Sequence, residues 1–142
     1  MNLSNLNNNL GRFFEDYVVG DIITHATPRT LTEADASLYT AIYPTRFALQ
    51  SSKEFAKNCG LKDRPLDDLI VFHTIFGKTV PDISINAVAN LGYAEGKFSN
   101  TVFSGETLSV ESEIIGLKQN SNGKTGIVYA KTIGQNSSGK TI

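Results

Sequence analysis

The sequence contains one cysteine, Cys59, and two histidines, His25 and His73. A single cysteine excludes an internal disulfide, and a reducing compartment is then the simplest setting for the protein. Two histidines and one distant cysteine do not have the spacing of a zinc site. The sequence therefore predicts no bound metal.

Long apolar runs and an excess of charge of one sign are also missing. The formal net charge is -1, and no basic run forms a phosphate-binding patch, so no nucleic-acid partner is expected. No apolar run approaches the length of a membrane helix. The N-terminus lacks the basic start and apolar centre of a signal peptide. These features predict a cytoplasmic protein with no membrane partner.

Two motifs that would indicate other enzymes are absent or misleading. A G-x-S-x-G elbow does not occur, which argues against a serine hydrolase. Residues 134–141 match the phosphate-binding pattern G-x-x-x-x-G-K-[ST], but that loop requires a helix after it. Only one residue follows, so the stretch is interpreted as a hairpin turn.

What the chain does contain is enough apolar sequence for one domain. Hydrophobic residues make up 40% of its 142 residues. Residues 1–10, rich in asparagine, are predicted to be a disordered lead-in. Residues 11–142 are predicted to form a single domain.

Helices are expected in the first half of the chain. Thr32 is the predicted N-cap of a short helix, with Asp35 in the capping-box position and Pro44 after its end. Ser51 or Ser52 is the predicted cap of a second helix, which Gly60 closes. The strongest helical pattern covers residues 67–80, DDLIVFHTIFGKTV.

Apolar side chains cover nearly the whole circumference of this third helix, which predicts that it is buried. His73 lies within it. A neutral core histidine is the favoured interpretation, and a substrate-facing role stays open. His25 lies in a predicted strand, could face solvent and is given no role.

The other segments are strand-like. A first strand is predicted over residues 22–27, and another over residues 87–98, with Gly92, Ala94 and Gly96 facing the helix. LSVESEIIGL and GIVYAKTIG form a predicted hairpin around Asn122-Gly123. A sheet wrapped round one apolar helix is the hotdog fold, of the α+β class.

The loop after the first helix contains a notable arginine. Arg46 follows Pro44 and is flanked by Thr45 and Phe47. It either pairs with a surface carboxylate, the favoured interpretation, or binds an anionic group through its planar fork. Gln50 in the same stretch is neutral and cannot transfer protons.

Several long strings indicate a family: FFEDY, HATPRTLTEAD, RFALQSS, NSNGKTG and DDLIVFHTIFGKTVPDISINAVANLGYAEGKF. They resemble the MaoC-like hydratase family, most closely the N-terminal half of its mesaconyl-CoA hydratase branch, also called β-methylmalyl-CoA dehydratase. The resemblance extends from Gly11 to the C-terminus. It implies the hotdog fold, a CoA thioester substrate, reversible hydration of a double bond, and no metal or redox cofactor.

The sequence departs from the family at its catalytic positions. Active relatives carry G-D-x-N-P-x-H, in which the aspartate and the histidine share the catalytic water. The corresponding residues here are Pro44, Thr45, Phe47, Ala48 and Gln50. Thr45 and Gln50 replace both acid–base groups. Asp68 stands where the family commonly has a glycine whose N–H polarises the thioester carbonyl.

The resemblance implies a hydratase of a short branched enoyl-CoA, with mesaconyl-CoA as the best candidate and little turnover by the chain alone. Arg46 is the first candidate to bind the free carboxylate and Arg29 the second; Gln50, Asp68 and His73 complete the predicted substrate-binding set. The alternative is a non-catalytic half that binds acyl-CoA and needs a catalytic partner half. A thioesterase is a third option, for which the candidate carboxylates are Asp67, Asp68 and Glu54.

Assembly is expected to use a sheet edge. The last strand is predicted to be short, which leaves an edge uncovered. A homodimer that pairs through residues 88–93 is predicted, or else pairing with a second hotdog half.

Overall fold

The computed structural model of the chain describes residues 11–44 and 47–142. The predicted lead-in, Thr45 and Arg46 lie outside the described residues. A 3-10 turn occupies Phe14–Asp16, and a π-helical turn occupies Val80–Ser84. The regular elements are β1 (Ile22–Thr24), β2 (Arg29–Thr30), α1 (Glu33–Ile42), α2 (Ala48–Ser51), α3 (Lys53–Asn58), α4 (Asp68–Thr79), β3 (Thr107–Gln119) and β4 (Gly126–Asn136).

The sheet is built around β3. β1 and β2 pair antiparallel with one edge of β3 at successive positions, and β4 pairs antiparallel with the other edge. The predicted alternation along β3 is confirmed, since Leu108, Val110, Ser112 and Ile114 are buried while the residues between them are exposed. The β3–β4 hairpin predicted around Asn122-Gly123 is confirmed as well.

Helix α4 packs on the buried face of β3. Val71 and Thr74 of α4 are buried, and Val71 belongs to a core cluster with Leu108. The approach of α4 to β4 requires Gly134, because a Cβ at this position would clash with the side chain of Ile75. The helix is therefore held against both long strands.

Two groups of buried apolar side chains form the core. The larger lies under α4 and the smaller lies near the start of the chain, beside the middle of β3. Their members are Leu31, Ala36, Leu66, Val71, Val102, Leu108 and Ile142 in the larger group, and Tyr17, Ile23 and Ile114 in the smaller.

The predicted helix ends are confirmed in detail. Thr32 caps α1, its side chain accepts a hydrogen bond from the backbone N–H of Asp35, and the Asp35 carboxylate accepts from the N–H of Thr32. Ser52 caps α3 in the same way through the N–H of Phe55. Gly60, with a φ of +87°, follows the end of α3. In the described part of the chain, no helix has the length and apolar character needed to cross a bilayer.

The prediction that α4 is buried all round is wrong. Only Val71, Thr74 and Thr79 are buried, while Leu69 and His73 are exposed. The sheet covers one face of the helix, and no other element of the described chain covers the opposite face with a packed layer. His73 is consequently not a core histidine.

The predicted strand over residues 87–98 is absent, and all of these residues are exposed. Tyr93 packs edge-to-face on Phe72 and Phe76 of α4, with ring centroids 5.1 and 5.2 Å apart. A Cβ added to Gly92 or Gly96 would meet no atom within 4 Å, so this small-residue face does not contact the helix as predicted. No described strand pairs with the segment, and an extended chain without a ladder partner is not a strand.

The first strand is also shorter than predicted. β1 ends at Thr24, and the backbone at Thr27 adopts a φ of +53° before β2 begins. Left-handed backbone is incompatible with the extended ladder, so the strand expected over residues 22–27 ends at Thr24. The chain pairs with β3 again only in β2, beyond the predicted range.

Two adjacent isoleucines on β3 test which side chains of this strand face the core. Ile114 is completely buried, and Ile115 is 53% exposed. We expect Ile114→Ala to lower the free energy of unfolding by about 2–5 kcal/mol, because it removes packed methyl groups and leaves a cavity. Ile115→Ala is the matched control and should change it by no more than about 1 kcal/mol. Urea titration measures both, and equal losses would contradict the register.

Candidate functional site

The candidate site is the region around α2 and the segment that leads into α4. Gln50, at the position of the family histidine, lies in the single turn of α2 and is half-buried. Its backbone carbonyl accepts a hydrogen bond from Nη1 of Arg64 at 3.2 Å. Arg64 directly precedes Pro65 and Leu66, the buried residues that lead into α4. Arg64 therefore links α2 to the segment that enters α4.

The second terminal nitrogen of the Arg64 guanidinium contacts the start of α1. Its Nη2 donates to Oε1 of Glu33 at 2.6 Å, and the Arg64 side chain is only 10% exposed. The second oxygen of Glu33 accepts from the hydroxyl of Ser104 at 3.1 Å, and Lys53 lies 3.7 Å from the first. This polar cluster connects α1, α2, α3 and the turn before β3. Arg64 is not among the residues that the sequence patterns predict for the site.

The start of α4 is acidic. Asp67 caps the helix, because its Oδ1 accepts from the N–H of Leu69 at 2.8 Å. Asp68 is the first helical residue; partial burial, and then the neighbouring charge of Asp67, raise the pKa of its carboxyl. Burial and the charge of Asp67 also raise the pKa of Tyr39 in α1. Two carboxylates at this helix end would oppose negative charge developing on a substrate oxygen there.

The other predicted site residues have different surroundings. Arg29 donates to Oδ1 of Asp35 at 2.6 Å and so supports the capping box of α1. The pKa of the Asp35 carboxyl is lowered, mainly because its carboxylate accepts hydrogen bonds from the backbone and side chain of Thr32. His73 is exposed on α4, with its ring 5.7 Å from that of Phe72. Arg46, the first candidate to bind a carboxylate, lies outside the described residues.

A chain of polar side chains, buried at its centre, lies below the far end of α4. Nδ1 of His25 is 2.7 Å from Oδ2 of Asp82, and its Nε2 is 2.8 Å from the hydroxyl oxygen of Ser112. The Ser112 hydroxyl is in turn 2.8 Å from that of Thr132. Four elements of the fold meet through these side chains: the end of β1, the π-helical turn, β3 and β4. The possibility that His25 faces solvent is wrong, since its side chain is completely buried.

The order Ser112, His25, Asp82 is that of a hydrolytic triad, but the surroundings exclude this chemistry. A nucleophilic hydroxyl must reach the substrate, and Ser112 is 1% exposed. Its role in this structure is to satisfy a buried histidine. The sequence carried a signal for it, because Ser112 is the one polar residue in the inward-facing register of β3 between Leu108 and Ile114.

Within residues 11–44 and 47–142, no three His, Cys, Asp or Glu side chains are grouped so that they could hold a metal ion. A shallow depression lies on the face of the sheet that points away from α4. It includes none of the candidate residues discussed above. Its lining residues are Thr24, Ser109, Val110, Glu111, Ile133 and Gln135.

Comparison with known proteins identifies the family. Residues 5–142 match the family model described as mesaconyl-CoA hydratase. The chain belongs to the mesaconyl-CoA hydratase family. The resemblance to MaoC-like hydratases is thereby confirmed, and it covers all the candidate residues.

Relatives in the mesaconyl-CoA hydratase family are much longer. The chain is 58% identical over 134 residues to a mesaconyl-CoA hydratase of Cereibacter sphaeroides, a match that covers 94% of this chain and 39% of the relative. It is 55% identical to a MaoC domain protein of Chloroflexus aurantiacus whose structure is solved, with a TM-score of 0.93, covering 96% of this chain and 39% of that one. The chain thus spans about two fifths of the length of these relatives.

A more distant structure establishes the fold. A protein of Mycobacterium tuberculosis with a double hotdog fold superposes with a TM-score of 0.82 at 21% identity, covering 92% of this chain and 41% of that one. At this identity the likeness shows the fold alone. The predicted α+β hotdog fold is confirmed, and this family member corresponds to about one of the two hotdogs.

Ser112 and Ser109 lie on opposite faces of β3 and test the buried polar chain. We expect Ser112→Ala to cost about 1–3 kcal/mol, because it leaves the buried His25 without its Nε2 partner. Ser109→Ala, on the exposed face, should stay within about 0.5 kcal/mol. Thermal and urea unfolding of the two variants measure the difference. A negligible loss for Ser112→Ala would show that water replaces the hydroxyl or that His25 does not depend on it.

Proposed function

We propose that the chain is a hydratase domain that binds a short, branched enoyl-CoA and takes part in the reversible addition of water to its double bond. Mesaconyl-CoA is the first candidate substrate. The observation that carries this proposal is the family match over residues 5–142. We further propose that residues 11–142 act as one hotdog unit in the cytoplasm, without a nucleic-acid or membrane partner.

By its resemblance to the family, the chain lacks the acid–base pair that active relatives use for hydration. Adding water across the double bond of a thioester needs a base to take the proton of water and an acid to protonate the α-carbon. Thr45 and Gln50, at the two family positions, do neither at neutral pH. The acidic start of α4, with Asp67 and Asp68, is also a poor environment for an enolate oxygen. The proton-transfer groups must then come from a partner half.

Arg46 is proposed to bind the second carboxylate of the substrate. A guanidinium matches a carboxylate with two parallel hydrogen bonds, which a partly dry loop strengthens. In sequence, Arg46 lies between the end of α1 and the start of α2, and Gln50 is in α2. Arg29 is the weaker candidate, because its guanidinium already forms an ion pair with Asp35. Gln50, Asp68 and His73 remain proposed substrate contacts.

The isolated chain should therefore bind the ester without hydrating it efficiently. We expect calorimetric titration to detect mesaconyl-CoA, and Arg46→Met to weaken this binding at least tenfold, about 1.4 kcal/mol. Free CoA should bind with the same affinity to the unmodified chain and to the Arg46→Met variant. Lys57→Met removes an exposed positive charge from α3 and serves as the matched control. An effect of similar size with Lys57→Met, or with free CoA, would rule out a specific carboxylate contact.

Turnover is the second measurement. Hydration of mesaconyl-CoA should be weak or absent with the chain alone and should appear when the C-terminal part of the Cereibacter relative is added. Robust hydration by the chain alone would show that the missing acid–base pair has been replaced within this chain.

A non-catalytic half that only shapes the substrate pocket is the second candidate. The replacement of both acid–base groups favours it. Binding of the ester by the isolated chain with no detectable turnover would select it, whereas weak turnover by the isolated chain would favour the hydratase. The thioesterase option has less support. Asp67 is engaged as the cap of α4, and Glu54 is exposed on α3. Release of free CoA thiol from the ester would be its signature.

We propose that the isolated chain forms a homodimer through residues 88–93. Val88 is 94% exposed and Leu91 is 72% exposed. Tyr93, in the same segment, packs on Phe72 and Phe76 of α4. Exposed apolar residues clustered on one side of a domain are typical of an interaction surface. A two-fold pairing of these segments is the simplest closed arrangement, and in the longer relatives a second hotdog would take the same place.

Leu91→Asp tests this surface. We expect sedimentation equilibrium at micromolar concentration to give a dimer for the unmodified chain, burying at least about 1,000 Å² in total. Leu91→Asp should shift it to monomer, because a charge would be buried in an apolar contact. Val18→Asp changes an equally apolar, exposed residue before β1 and should leave the dimer intact. A monomer for the unmodified chain would exclude the homodimer.

A further inference from the structure

We propose that Asn122 is a site of spontaneous covalent modification, where the folded β3–β4 hairpin slows the conversion of asparagine to aspartate and isoaspartate. Asn122-Gly123 is the only Asn-Gly pair in the sequence. Both residues are exposed in the turn between β3 and β4. The proposal rests on the hydrogen bonds of this turn and is independent of the proposed function.

The reaction is an attack of the main chain on a side chain. The Gly123 nitrogen loses its proton to a solvent base and forms a bond to Cγ of Asn122. The Cγ–Nδ2 bond breaks, and Nδ2 takes up a proton and leaves as ammonia. One water molecule then opens the cyclic succinimide at either carbonyl and gives aspartate or isoaspartate. A glycine favours the attack, because it has no Cβ to obstruct its nitrogen.

The turn restrains the attacking nitrogen. The N–H of Gly123 donates to the carbonyl of Asn120 at 3.0 Å, and the N–H of Asn120 donates to the carbonyl of Thr125 at 3.0 Å. Removal of the Gly123 amide proton therefore breaks a backbone hydrogen bond of the turn.

The side-chain amide of Asn122 is restrained as well. Its Oδ1 accepts hydrogen bonds from the N–H of Lys124 at 2.9 Å and from the N–H of Thr125 at 3.2 Å. The Thr125 hydroxyl lies 3.3 Å from Oδ1 and 3.2 Å from Nδ2. Ring closure draws Cγ onto the Gly123 nitrogen, which disturbs these hydrogen bonds. The turn must consequently open before the reaction can occur.

The two products should affect the hairpin differently. An aspartate keeps a side-chain oxygen that can accept from Lys124 and Thr125, and its charge strengthens these hydrogen bonds. Isoaspartate adds a methylene to the main chain between β3 and β4. Because the connection sets the register of a hairpin, a longer connection should weaken the ladder at Gln119 and Gly126.

Peptide mapping by mass spectrometry during incubation at mildly alkaline pH is the first test. We expect Asn122 to react at least about tenfold more slowly in the folded chain than in a peptide of residues 119–126, because local opening must come first. Thr125→Val removes the hydroxyl and keeps the backbone N–H, so it should raise the rate in the chain about threefold.

Ser138→Ala is the matched control. It removes a hydroxyl that donates to Oδ1 of Asn136 in the next turn, and it should leave the rate at Asn122 unchanged. Equal rates in the chain and the peptide would overturn the proposal, as would an unchanged rate in Thr125→Val. An equal rise in Ser138→Ala would also overturn it, because the protection would then be global rather than specific to this turn.

Hydrogen exchange of the Asn120 amide is the second test, since this amide closes the turn. The isoaspartate form should exchange faster than the unmodified chain, whereas Asn122→Asp should stay within a factor of about two. Equal acceleration in both forms would show that Oδ1 does not hold the turn, and it would overturn the proposed restraint on the side chain.

Discussion

The packing of α4 across β3 and β4 is the contact on which the rest of the structure depends. It buries Val71 against Leu108 and requires a glycine at position 134, where the helix comes closest to β4. The short strands β1 and β2 have no other described pairing partner than β3, so they depend on the face that α4 stabilises. At the far end, the contact between the buried His25 and the partly exposed Asp82 joins the turn after α4 to the same sheet.

Because α4 packs on the sheet with one face only, its two faces have different surroundings. The sheet side of α4 is a dense core, whereas the outer side carries Leu69, Phe72 and Phe76 next to an extended segment with no ladder partner. Burial of apolar area is the main favourable term in folding and association. The uncovered side is consistent with the proposed pairing of two copies or with a second hotdog unit in its place.

The candidate site combines a polar link with an acidic helix end. Arg64 connects α2 to the start of α1 through Gln50 and Glu33. Asp67 and Asp68 make the start of α4 acidic, which would oppose negative charge on a bound oxygen there. These features are consistent with the proposed division of tasks, in which the chain contributes to binding and a partner half supplies the acid and the base.

The sequence by itself determined the local features: the caps of α1 and α3, the alternation of β3, the turn at Asn122-Gly123 and, through long shared strings, the family and the fold. These depend on residues close together in the chain, whose geometry is set by backbone sterics and by the two-residue and 3.6-residue periods. Tertiary structure alone decided which face of α4 is covered, that residues 87–98 lack a strand partner, and that His25 and Arg64 become buried. Each of these depends on contacts between residues far apart in the chain, and burial is a property of the packed arrangement rather than of any local pattern.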